Sequence, residues 1–368
     1  MIRRDLLRRA LLLLALASAA ACTSGLPDEA LLRFETPEGL ARLAAPLEQR
    51  VQAHPDDGEA LRRLALIELR LGRVEPALVH AQRAAQAGPF TGANQLVLGE
   101  AFEATGKPAR ALAAYARAIE LAPNLIGAYV RYAQAQASLH AGDKALKSLE
   151  EALRREPNHF GARLLQAQLL REANRLPEAQ QAVEAARALR PQDALALRVH
   201  LQILQARGQL AAARRLAEQG LAQQPGQRPL LVALAGVARE AGDYDGALSA
   251  LERLARLGPL DADERLLKVD ALAGAGRGAE AQAALAQLLR DHPHNAPVHV
   301  RLAEQFVRAG RPRDALREAQ QARALMPELA EAAYWEAVAH YQLDDAALGD
   351  ASLAVAARFD PQHDAILL

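Results

Sequence analysis

The stretch that decides the fold runs from Leu98 to Pro123 and reads LGEAFEATGKPARALAAYARAIELAP. Counting outward from Pro123 in steps of 34 residues meets a proline every time: Pro55, Pro89, Pro157, Pro191, Pro225, Pro259, Pro293, Pro327 and Pro361. Ten of the 19 prolines thus keep one interval, and nine equal intervals mean nine copies of one supersecondary unit. A second marker stands 22 residues after each proline, at Ala77, Ala111, Ala145, Ala179, Ala213, Ala247, Ala281 and Ala315, with Gly349 in the ninth copy. A third stands at the midpoint, 17 residues after the proline, at Gly72, Gly106, Gly208, Gly242, Gly276 and Gly310. Asn174 takes that place once, and His140 and Asp344 are exceptions to it.

Each unit reads as a first helix, a short turn, a second helix and another turn. The midpoint glycine supplies a left-handed residue that closes the first helix, and Asn is the next best choice there. Pro76, Pro108, Pro177 and Pro312 fall in first turns of second helices, and Pro229 and Pro297 in first turns of first helices. A missing N–H is harmless there, because those donors lack helical partners anyway. Ala, Leu, Arg, Gln and Glu dominate, all good helix formers, and no stretch reads as a strand. Aromatic residues make up 4 % of the chain, so Leu and Ala must build the core. The recurring alanine lets the two helices of a unit approach closely.

These residues resemble the tetratricopeptide repeat (TPR) family over residues 58–361. Leu98-Gly99, Phe102, Ala111, Tyr115, Ala118 and Pro123 carry the likeness most fully, whereas Arg163, Gln166, Arg265 and Lys268 stand where large apolar residues are usual. The resemblance implies an all-α protein, a TPR α-solenoid of about nine 34-residue helix-turn-helix repeats forming a right-handed superhelix. It also implies that the first helices line a concave groove. No single repeat can bury its apolar face, so neighbours must stack. At the near end, Thr36 and Pro37 read as the N-cap and first turn of a capping helix within residues 37–57, which Pro46 should break or kink. At the far end a short tail, 362–368, follows the ninth copy, which is either itself the cap or meets another chain.

Residues 1–21 carry a basic head (Arg3, Arg4, Arg8, Arg9 against Asp5) and an uncharged stretch from Ala10 to Ala21, the pattern of a signal peptide. That stretch is too short for a membrane-spanning helix. Cys22, the only cysteine, follows at once, and Ala19-Ala20-Ala21-Cys22 resembles the lipobox of bacterial lipoproteins. The resemblance implies a lipid on Cys22, a linker over 22–36 and the periplasmic face of the outer membrane. The same Ala19-Ala20-Ala21 also fits an ordinary secretory cut, which would leave a soluble periplasmic protein. Arg3-Arg4-Asp5-Leu6-Leu7-Arg8 resembles the twin-arginine export signal, and general secretion remains the other route. With no second cysteine, no internal disulfide supports the fold.

The chain has 44 basic and 44 acidic side chains, mixed along its length. Nucleic-acid binding wants a clustered basic face, and that class is excluded. Gly-rich phosphate loops, G-x-S-x-G elbows and H-E-x-x-H helices are absent, so no enzyme activity and no cofactor are expected. His292, His294 and His299 gather near Asp291, and two of them could chelate a metal. His54 holds the same place as His292 without such neighbours, so the cluster reads as a solvent-exposed turn and no metal is expected.

Partner binding is expected on the first helices, where residues 34 apart form rails. One rail reads Glu100, Gln134, Gln168, Gln202, Gly236, Asp270, Glu304, and its glutamines offer paired donors and acceptors for an extended backbone. Beside it runs Leu96, Val130, Leu164, Arg198, Val232, Leu266, Val300, Tyr334. Gln134, Gln168, Gln202, Val130, Leu164 and Arg198 are the candidate groove residues. Tyr334, Trp335 and Tyr341 form an aromatic cluster in copy nine, either a partner anchor or a shield for the end. The basic and Asn pattern of TPR clamps for acidic chaperone tails is absent. The expected function is a non-catalytic protein-binding scaffold of the cell envelope. By resemblance it would serve a secretion, pilus or exopolysaccharide export machine. The alternatives are a glycan- or peptidoglycan-binding module, or an accessory subunit of an envelope enzyme complex.

Overall fold

The computed structural model describes residues 36–360; Cys22 with the segment before it, and the tail after Asp360, lie outside the described residues. Two compact units divide the chain, residues 1–199 and 200–368. In the first unit α1 (Pro37–Ala53) is followed by four helix pairs. These are α2 (Gly58–Arg70) with α3 (Val74–Ala87), α4 (Gly92–Ala104) with α5 (Pro108–Leu121), α6 (Ile126–Ser138) with α7 (Gly142–Arg155), and α8 (Phe160–Glu172) with α9 (Leu176–Leu189). The division falls inside α10 (Ala194–Ala206), whose pair partner is α11 (Leu210–Gln223). The second unit continues with α12 (Arg228–Glu240) and α13 (Tyr244–Leu257), α14 (Ala262–Gly274) and α15 (Gly278–Asp291). It ends with α16 (Ala296–Arg308) and α17 (Pro312–Leu325), α18 (Ala330–Gln342) and α19 (Ala346–Phe359). The described residues contain helices and turns but no strand, as the all-α reading expects.

The three sequence markers each have a structural cause. All nine midpoint residues adopt positive φ, the glycines between 66° and 75°. His140 (58°), Asn174 (55°) and Asp344 (61°) do the same, so the two exceptions in residue type are not exceptions in conformation. The pair geometry imposes the left-handed residue, and a non-glycine there bears a steric cost. The alanines at the second marker are 0 or 1 % exposed, which is why nothing larger is found there. Gly349 breaks that series because the ring of Tyr341 covers it, and a Cβ would come within 2.6 Å of the ring.

Some helix starts are capped by side chains the sequence supplies locally. Asp57 accepts from the Ala60 N–H at 3.0 Å and from the Arg50 Nε–H at 2.6 Å, and so joins α1 to α2. Asp261 and Glu264 form a capping box, each accepting the other's backbone N–H at 2.9 Å. Glu264 is buried at a register where most repeats hold an apolar or small residue, and the Arg228 Nε–H donates to it at 3.0 Å. Asp345 caps α19 beside the left-handed Asp344, which accounts for the paired aspartates of copy nine.

In the capping helix the break half of the expectation at Pro46 is not met. Thr36 caps it and Pro37 opens it, but the helix does not end at Pro46; it runs on to Ala53. Packing explains the persistence. Leu40, Leu43, Ala44, Leu47 and Val51 are buried against Ala60, Leu61, Leu64, Ile67 and Ala84. Burying each leucine or valine contributes about 1.5–3 kcal/mol, enough together to offset a proline penalty of about 3 kcal/mol.

Candidate functional site on the first helices

The first unit carries a cleft of about 550 Å³ lined by α2, α4 and the start of α6, all first helices of their pairs. Its floor is apolar, built from Leu66, Leu69, Leu96, Val97 and Leu125. At Gly127 an added Cβ would touch only Leu96, at 3.8 Å, so the missing side chain keeps that wall open. Glu100, Glu103, Arg70 and Arg131 supply the polar edge. The Arg131 Nε–H donates to Glu100 at 2.8 Å, and the Tyr115 hydroxyl donates to Glu103 at 2.7 Å. Burial, aided by Glu103, pushes the Tyr115 hydroxyl far above its ordinary range. Burial also opposes the Arg131 charge, but Glu100 outweighs that and raises its pKa.

The second unit carries clefts of about 270 and 220 Å³ that share Arg239 of α12, Asp270 of α14 and Arg301 of α16. These are polar. Asp270 lies 3.2 Å from the Arg301 Nε and 3.7 Å from Arg239, and Glu304 pairs with Arg301 at 3.1 Å and Arg308 at 2.7 Å. Burial raises the Asp270 pKa despite the two arginines, which pull the other way.

A spacing missed by the 34-residue rails emerges here. Glu100 to Arg131, Arg239 to Asp270 and Asp270 to Arg301 are each 31 residues apart, one repeat less one helical turn. In a stacked pair of first helices that offset brings the side chains level, and charges repeating at 31 would have been the readable sign. The ends of the first rail are therefore engaged: Glu100, Asp270 and Glu304 hold arginines, and Gln134 accepts from Arg131 at 3.4 Å. Gln168, half-buried in the first unit, and Gln202, exposed in the second, make no side-chain hydrogen bond among the described residues.

The apolar rail is interrupted. Val130 is half-buried against Ile126, Tyr129 and Ala152, and Arg198 is exposed. Leu164 corrects the expectation: at 4 % exposure it is core, with too little surface left for a partner. Leu266 and Val300 are buried likewise. In the aromatic cluster Tyr334 and Trp335 meet edge to face at 5.1 Å, and Trp335 packs against two neighbouring cores. Tyr341 is exposed, its hydroxyl donating to Asp350 at 2.7 Å. His299 is not part of an exposed turn as expected: it is buried, with Nδ1 2.8 Å from Glu318 and Nε2 3.0 Å from the Pro293 carbonyl. His292 and His294 are exposed, and no group of three metal-ligating side chains gathers among the described residues.

Models of tetratricopeptide repeats match residues 36–92, 139–203, 200–262 and 272–341. The chain belongs to the tetratricopeptide repeat family. TPR proteins serve as scaffolds for protein–protein interaction, and this chain is one at that level of description. Among solved structures it is similar to PilW, described as a widely conserved type IV pilus biogenesis factor, at 23 % identity and TM-score 0.51, covering 55 % of this chain and 94 % of that one. A TPR protein from Parabacteroides merdae aligns at 16 % identity and TM-score 0.53, over 77 % of this chain and 98 % of the other. Yeast Tom70 aligns at 12 % identity and TM-score 0.53, over 92 % and 85 %. At these identities the likeness concerns the fold alone. No curated protein matches the sequence.

Proposed function

We propose that this TPR protein is a non-catalytic scaffold of the bacterial cell envelope that grips partner proteins on its first helices. The observation that carries the reading is the 550 Å³ cleft across α2, α4 and α6, with an apolar floor and a polar edge already held in place by Glu100–Arg131 and Glu103–Tyr115. Such a surface suits an extended segment, whose apolar side chains enter the floor while its backbone meets the edge. Leu96 belongs to both the floor and the apolar rail, which makes it the residue to change.

Envelope location rests on Cys22 behind its apolar segment, with lipid on the cysteine as anchor and the periplasmic face of the outer membrane as address. No described helix is long and apolar enough to cross a membrane. The fold likeness to PilW, a pilus biogenesis factor, favours a role in assembling a pilus or a related export machine. Two measurements test the reading. Cys22→Ser should move the protein from the membrane to the soluble periplasmic fraction, and a wild-type N-terminal peptide without a lipid mass increment would refute the anchor. Proteins captured from outer membranes by the wild type should be lost with Leu96→Glu; an unchanged capture profile would remove the cleft from the function.

A further inference from the structure

The first and last described helices are finished differently. α1 leaves Glu38, Arg42, Glu48 and Gln49 exposed, the polar outer face that a terminal helix of a stacked-repeat protein needs. α19 has no such face. Among its 14 residues only Asp350, Ser352 and Arg358 are polar, and Ser352 is buried. A helix that is apolar nearly all round is ordinarily a covered one.

The apolar positions are ones that other repeats fill with charge. At the register of Leu348 stand Arg110, Lys144, Glu178, Glu280 and Asp314, and at that of Val355 stand Arg117, Glu151 and Arg253. Leu348 is 50 % exposed, Val355 is half-buried, and Phe359, one turn further on, is 40 % exposed. Leu353 adds a second strip. Its register is at most 1 % exposed in the other eight repeats, each followed by a further first helix, yet Leu353 itself is only half-buried. Contiguous exposed hydrocarbon of this kind marks a contact surface.

We infer that α19 pairs with the α19 of a second copy of this chain, antiparallel, about a two-fold axis at Ala354. The charges select that occupant. Asp350 and Arg358 stand four residues to either side of the exposed Ala354, so an antiparallel pair centred there sets each Asp350 level with Arg358 of the second copy, about 6 Å along the helix from the axis. The two-fold makes that contact twice, as an isologous interface requires. A face with one acid and one base placed symmetrically about its centre is complementary to itself. The Tyr341 hydroxyl holds Oδ1 of Asp350 at 2.7 Å, which leaves Oδ2 for the second copy. Pairing also joins two scaffolds, so a partner with two matching segments is held by both.

Sedimentation equilibrium of the full chain in density-matched detergent tests this, and should give twice the monomer mass. Leu348→Glu together with Val355→Glu should weaken the dimer by about a hundredfold or more, because four carboxylates then enter one apolar contact. Helicity should be unchanged, since Glu280 and Glu151 hold the same registers in folded repeats. Asp350→Arg alone and Arg358→Asp alone should each weaken the dimer, as like charges then meet across the axis, and the two together should restore it. A monomeric wild type, a dimer that survives the paired glutamates, or a charge exchange without recovery would overturn the inference. The cleft of the first unit takes no part, so each of these failures leaves the scaffold reading standing.

Discussion

The two units use one repeat to make opposite surfaces. Across α2, α4 and α6 Arg131 is tied to Glu100 and Tyr115 to Glu103, and the floor between them is hydrocarbon. Across α12, α14 and α16 the floor is charged, and Asp270 is held by arginines at 3.2 and 3.7 Å. The comparison teaches that a repeat fold determines where a side chain points, while the residue at each register decides what that place can recognise. Glu100 and Asp270 occupy the same register, five repeats apart, and Glu100 holds one arginine while Asp270 faces two, Arg301 at 3.2 Å and Arg239 at 3.7 Å.

The largest expected difference between the units concerns two glycines covered by tyrosine rings. A Cβ on Gly99 would run into the ring of Tyr115, and one on Gly274 into the ring of Tyr244. Tyr115 is fully buried and tied to Glu103, so it cannot move aside; Tyr244 is half-exposed and can swing outward. Gly99→Ala should therefore destabilise the first unit by about 1–3 kcal/mol through overpacking. Gly274→Ala should stay within about 1 kcal/mol of the wild type, its strain offset by helix propensity. Denaturant unfolding of the two variants checks this, and equal losses would mean that the rings are equally fixed.

Acid should act on the units with opposite sign. The Asp57 pKa is lowered: burial opposes this, but the Ala60 N–H and the Arg50 guanidinium outweigh it. A lowered carboxylate contributes stability above its unfolded pKa, and that contribution is lost as the pH falls through the folded value. The α1–α2 junction should thus loosen below the ordinary aspartate range. Asp270 is raised, chiefly by burial, so its favourable contribution is present at low pH and disappears as the pH rises through its folded value. Hydrogen exchange between pH 3 and 6 should show protection falling at residues 50–60 on acidification and holding or rising around residue 270. The same trend at both sites would contradict the pairing described.

The smallest effects belong to the left-handed turn residues. His140→Gly in the first unit and Asp344→Gly in the second should each stabilise by up to about 1 kcal/mol, because glycine adopts positive φ without strain. Thermal unfolding reads this directly. A loss in either variant would show that the side chain makes a contact worth more than the strain. Gly72→Ala, the reverse change at a site already glycine, should destabilise by a similar amount, since its φ is 71° and nothing else crowds it.

The sequence by itself determined the repeat: its length, its phase, the alanine packed between paired helices, and the helix ends marked by proline and glycine. Those features depend on local backbone geometry and on contacts recurring every 34 residues, so one chain shows them nine times over. Even His140 and Asp344, unlike glycine as residues, obey the phase because the turn enforces it. Only the tertiary structure decided which residues along a rail reach the surface. Leu164 and Val300 lie in register with Leu96 yet are buried, and His299 left its expected turn for a pocket beside Glu318. The carboxylate–arginine ties at a spacing of 31 likewise appear only once helices stack. The physical reason is that exposure and pairing depend on the side chains of neighbouring helices, which differ from repeat to repeat while the backbone period does not.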